Sequence, residues 1–143
     1  MIISDPLSEL VSLLGSSLSM YVADAGIWSY PGNENVKLAI ADLVDDQRSI
    51  VDRAGIALED RGMDAPRRGY PIKFTATHDL DLRSLLPRIV AELRQQTGAL
   101  DQIIELGGHD PIAVDLAREA RLSTTTHADA IEQILAARVP VGR

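Results

Sequence analysis

Cysteine is absent from this 143-residue chain, which excludes disulfides, iron–sulfur clusters, thiolate zinc sites and cysteine nucleophiles. Aromatic residues are scarce, limited to Trp28, Phe74 and the tyrosines at 21, 30 and 70. Period-two runs of β-branched residues are missing too, so strands have no pattern to build on. With only 7 Pro and 10 Gly, the chain has neither collagen-like repeats nor low-complexity linker. Positive charge is in short supply: 21 Asp and Glu against 14 Lys and Arg leave a net −7. That is the wrong sign for a phosphate-binding footprint, so no nucleic-acid partner is expected. The most apolar stretch, Leu7–Trp28, carries Glu9 and Asp24, so no membrane span is expected. The opening Met1-Ile2-Ile3-Ser4-Asp5 lacks the basic run of a signal peptide, and a cytoplasmic location is expected. Neither a Gly-x-Ser-x-Gly elbow nor a phosphate-cradling glycine loop occurs.

What remains is 45% apolar and 24% charged, a composition that can bury a core. Leu, Ala, Glu, Asp, Arg and Gln fill long stretches, which predicts an all-α fold in a single domain, 1–143. Helices are expected at about 5–29, 34–62, 79–106 and 110–138, roughly 40 Å each at ~1.5 Å per residue. Asp5-Pro6 and Asp110-Pro111 each pair a capping residue with a proline at the first helical position. Gly62 suits a left-handed C′ position. The start of the third helix is open: Thr77 or Asp79 caps it and Pro87 kinks an early turn, or Ser84 caps it.

Alternating spacing of four and three marks one apolar seam per helix. The seams are Leu7, Val11, Leu14, Leu18, Tyr21, Ala25, Trp28; Val36, Ile40, Leu43, Gln47, Ile50, Ala54, Ala57; Leu82, Leu86, Ile89, Leu93, Gln96, Leu100, Ile103; and Ala113, Ala117, Ala120, Thr124, His127, Ile131, Ile134. Four such seams describe a four-helix bundle. Short links at Tyr30–Asn33 and Gly107–Asp110 make two antiparallel hairpins. The connection 63–78 can span ~50 Å at ~3.3 Å per residue, and its stretch Gly69–Thr75 reads as an extended, half-buried crossover. A long crossover between two hairpins is the ferritin-like arrangement.

At this point the sequence resembles the ferritin-like superfamily, and within it the Dps group, over roughly Leu7 to Leu135. The landmarks are Trp28-Ser29-Tyr30-Pro31-Gly32 at the first turn, Gly62 after the second helix, Tyr70-Pro71-Ile72 in the crossover and Asp110-Pro111-Ile112-Ala113-Val114-Asp115-Leu116 opening the last helix. The resemblance implies iron oxidation and storage in a homo-oligomer. The ligands that the family uses are largely missing, however. Ile27 stands where a His precedes the Trp. Lys37 or Ala39 falls near the second His, and Asp52 matches the Asp, but Ile56 stands at its Glu partner. The Glu-x-x-His pair of ordinary ferritins would end at His127, yet Thr124 occupies the Glu position. The Lys-rich tail through which some Dps proteins bind DNA is absent.

The residues themselves give the same chemistry. Near mid-length the seams carry Tyr21, Gln47, Gln96, Thr124 and His127, all without a carboxylate, whereas hard cations need anionic oxygen ligands. One reading is a structural hydrogen-bonded layer. A second is a small-ligand pocket lined by Tyr21, Gln47, Gln96, Thr124 and His127. A third is a metal site recruiting Asp24 or Asp46. No catalytic residue, resident metal or cofactor is expected; iron enters only under the Dps-type alternative, with Asp52 and His127 as its candidates between subunits. His78 and His109 read as surface or cap residues and His127 as a core histidine. Ser16-Ser17 read as small packing residues, and Asp45-Asp46 and Glu59-Asp60-Arg61 as solvated faces. Second apolar rows, Leu10, Leu13, Met20 and Ile27 on the first helix and Val44, Val51 and Leu58 on the second, exceed what one core needs and point to self-association. The expected function is therefore non-enzymatic, exercised through oligomer assembly or partner binding.

Overall fold

The computed structural model describes residues 5–24, 34–66, 69–74 and 82–137. Among these the protein is all-α, with five helices: α1 (Pro6–Gly15), α2 (Leu18–Asp24), α3 (Glu34–Asp60), α4 (Leu82–Leu106) and α5 (Pro111–Ala136). None is long and apolar enough to cross a membrane. Ala25 and Ile27, the Trp28–Gly32 landmark, His78 and the candidate caps Thr77 and Asp79 lie outside the described residues.

The local end signals work as their chemistry requires. Asp5 accepts the Ser8 N–H ahead of Pro6, and Asp110 accepts the Ala113 N–H ahead of Pro111. At the end of α3 the Met63 N–H reaches the Leu58 carbonyl and the Gly62 N–H that of Glu59. This paired closure needs a left-handed residue at Gly62, whose φ is +74°. Helix α4 is already formed at Leu82 and carries Pro87 inside it, so Ser84 is an exposed residue of its first turn rather than its cap.

The described seam residues bury for the most part as the spacing predicts, with Tyr21, Ala57, His127 and Ile134 only partly buried. Val36, Ile40, Leu43, Ile50 and Ala54 of α3, Leu86, Ile89, Leu93, Leu100 and Ile103 of α4, and Ala113, Ala117, Ala120 and Ile131 of α5 all enter one core with Leu7, Val11, Leu14 and Leu18. Two expectations need correction. The first helix does not run unbroken over 5–29: it stops at Gly15 and restarts at Leu18. Of the second apolar rows, Leu10, Met20, Val44, Val51 and Leu58 are buried within the monomer and Leu13 partly so, which removes them as surplus surface for a partner, while Ile27 lies outside the described residues. Helix α3 packs against both α1 and α5, and a helix with neighbours on two sides needs a broader apolar face than a single seam.

Residue pairs fix the helix directions. Arg61 meets Asp110, Arg53 meets Glu119 and Asp46 meets His127, so α3 and α5 are antiparallel. Arg94 meets Asp129 and Asp101 meets Arg121, so α4 and α5 are antiparallel as well. Gly107 lies against Pro6 while the Leu18 N–H bonds Glu92, so the α1–α2 segment opposes α4. Consequently α3 and α4 run parallel, and the chain between them must travel the length of the helices. Part of that connection is a single 3₁₀ turn at 72–74, closed by the Phe74 N–H on the Pro71 carbonyl. It is not uniformly extended and half-buried: Phe74 is buried and Tyr70 half-buried, but Ile72 is 87% exposed.

Candidate functional site

The break in the first helix creates the polar layer. Without Leu18 and its successors in continuous register with α1, the first amides of α2 lose their backbone partners. The Ser17 hydroxyl accepts the Met20 N–H at 3.2 Å, as an N-cap does, and the Glu92 carboxylate accepts the Leu18 N–H at 2.8 Å. Ser16-Ser17 are thus not mere packing residues.

From this break the layer extends inward. Ser17 and Ser19, both buried, donate to Oε1 of Gln47 at 3.1 and 2.9 Å, and the Gln47 amide makes a long 3.5 Å contact with Oε1 of Gln96. Gln47, Gln96 and Thr124 are 3%, 3% and 2% exposed. Among the described residues no buried side-chain nitrogen or oxygen lacks a hydrogen-bond partner.

Of the five candidate residues Gln47 and Gln96 bond within this layer, Thr124 is buried on α5, and Tyr21 and His127 lie outside it. Tyr21 is half-buried and turns toward the crossover, edge-on to Tyr70 at 5.2 Å between ring centroids and tilted on Phe74 at 5.6 Å. His127 is not a core histidine. It is half-buried, with Nε2 2.6 Å from Oδ2 of Asp46, which also accepts the Ser123 hydroxyl at 3.2 Å. Asp46 is accordingly more than a solvated carboxylate, and Arg61 likewise forms a two-pronged pair with the buried Asp110 at 2.7 and 2.9 Å. That guanidinium holds the Asp110 carboxyl below its usual range, against burial. Asp24 binds Arg48 and the Tyr70 hydroxyl, and Asp52 and Ile56 stand exposed on α3.

The donor set does not fit an iron pair. Amides and hydroxyls offer no charge to offset dehydration of a hard cation, and no group of three or more His, Asp or Glu able to hold a metal ion occurs among the described residues. The sequence reading missed Ser19 and Glu92, and took Ser17 for a packing residue and Asp46 for a solvated carboxylate or a metal recruit. Gly15-Ser16-Ser17, a glycine–serine run inside a helical pattern, was a readable break signal. Nothing local marks Glu92 as a cap for a helix 74 residues away.

No protein-family description matches the chain, and no curated protein does. Among solved structures it is similar to the crystal structure of a conserved hypothetical protein, rv2844, from Mycobacterium tuberculosis. The identity is 18%, the match covers 96% of this chain and 93% of that one, and the TM-score is 0.73. The likeness is one of fold.

Proposed function

We propose that this chain is a Dps-like, ferritin-like four-helix bundle that lacks a complete ferroxidase centre and acts without catalysis, through oligomer assembly or partner binding. The ferritin-like part is supported by the helix directions: parallel α3 and α4 joined by a connection as long as they are, flanked by antiparallel neighbours. One observation carries the functional part. Where iron-oxidising ferritin-like proteins gather several acids, Ser17, Ser19, Gln47 and Gln96 bond to one another and none of the four carries an anionic oxygen, while the one carboxylate beside them, that of Glu92, is engaged by the Leu18 N–H. Since the described members of the second apolar rows are internal or partly so, a protein contact would use what stays exposed, including Leu38 and Ile56 on α3 and Ile112 and Leu122 on α5.

The test combines two measurements on metal-free protein. Ferrous iron in air should oxidise no faster with the protein than in buffer alone, and light scattering at micromolar concentration should give a mass above one chain or, with a cell extract, a stable heteromeric species. Accelerated oxidation with stoichiometric iron uptake would replace this reading by the Dps-type one, with Asp52 and His127 as the residues to substitute first. A lone monomer in both settings would defeat the assembly reading.

A further inference from the structure

We propose that the cleft between the 72–74 turn and the outer face of α4 binds a small organic monoanion, a carboxylate on an aromatic or short aliphatic body held by Arg88 and Lys73. This goes beyond the assembly reading and does not depend on it. The cleft has a volume of about 310 Å³, at the small end of the range for ligand sites, roughly 300–1,000 Å³. One wall is apolar, made by Leu18, the Phe74 ring and Ala91; the amide of Gln95 completes the rim.

The charges select the ligand. Arg48, Arg53, Arg61, Arg94 and Arg121 all have carboxylate partners. Arg83, Arg88 and Arg118 form no ion pair among the described residues, and of these three it is Arg88 that lines this cleft. Lys73 lies beside it, with Nζ 5.9 Å from the centre of the Phe74 ring. Facing both is Glu92, whose Oε1 is already engaged by the Leu18 N–H. Burial pushes its carboxyl above the usual range, opposed by that N–H and by Lys73. Two cations against one carboxylate leave a single positive charge to be met. A monoanion meets it, whereas a dianion would face Glu92 and the net −7 of the chain. The lining favours a short organic body over a bare inorganic ion, because Ala91 and the residual edges of Leu18 and Phe74, 4% and 7% exposed, face the cleft with apolar surface.

Titrating ¹⁵N-labelled protein with phenylacetate tests this directly. The Leu18, Phe74 and Ala91 amides should shift saturably, and the neutral phenylacetamide should not produce the same shifts. Arg88→Gln, at an exposed position that leaves folding intact, should weaken phenylacetate at least fivefold. Glu92→Gln keeps an acceptor for the Leu18 N–H and removes the opposing charge, so it should tighten binding about twofold or more. Unmoved amides at tens of millimolar phenylacetate, or unchanged affinity in Arg88→Gln, would overturn the proposal. Equal or tighter binding of inorganic phosphate would do the same, by revealing a bare anion site.

Discussion

Gln47 receives two hydroxyl donors on one oxygen and stands between α2 and α4, so its removal strands more than one group. Gln47→Leu leaves Ser17 and Ser19 buried without their acceptor. At ~1–3 kcal/mol per orphaned group, the expected loss is roughly 2–4 kcal/mol by urea unfolding. His127→Leu serves as the contrast. Asp46 is more than half exposed, can rebind water and keeps Ser123, so the change in stability should stay within about 1 kcal/mol. Asp110 sets an acid limb. Its carboxyl is held down in the folded state by Arg61, so the stability it contributes is present above the ordinary carboxylate value near 3.8 and is lost as pH falls through the lowered one. Asp110→Asn keeps the cap and drops the charge, and should flatten stability against pH below about 4; an unchanged acid limb would contradict this.

At the scale of elements, the ends of the helices were largely legible and the interruptions were not. Asp5-Pro6, Asp110-Pro111 and Gly62 act through bonds within a few residues, so a local pattern suffices to place them. The spacing of four and three located the buried rows of α3 and α4 for the same reason. Pairings such as Arg61 with Asp110 or Asp46 with His127 join residues 49 and 81 positions apart, and no local pattern encodes them. The width of the apolar faces misled in a different way: a stripe too broad for one partner fits a helix with neighbours on two sides. Glycines separate backbone cost from packing cost. A Cβ on Gly62 or Gly98 meets nothing within 4 Å, but only Gly62 has positive φ. Gly62→Ala should therefore cost about 1 kcal/mol and Gly98→Ala, inside α4, should stabilise by about 0.5–1 kcal/mol. Paired thermal melts that move the same way would contradict the assignment.

Over the whole molecule, aromatic contact and one carboxylate help to tie down the described part of the crossover. Phe74 is 7% exposed and touches Tyr21, while Tyr70 touches Tyr21 and bonds Asp24. Phe74→Ala should cost about 3 kcal/mol, and limited proteolysis should then cut first between α3 and α4. Full resistance of that connection in the variant would show that other contacts hold it.

The interruption after Gly15 bears on alignment as well as on hydrogen bonding. A hairpin made only of leucine and valine ridges can slide by one turn, about 5.4 Å, and still find apolar neighbours. Here Gln47 fits against one notch, the pair of serines at the restart, and Glu92 engages the same notch from the opposite helix. Any axial slip would leave hydroxyls, an amide and a carboxylate facing hydrocarbon at once. The defect in the helix thus works as a detent, allowing the surrounding interior to stay smooth and oily while the helices lock at a single offset.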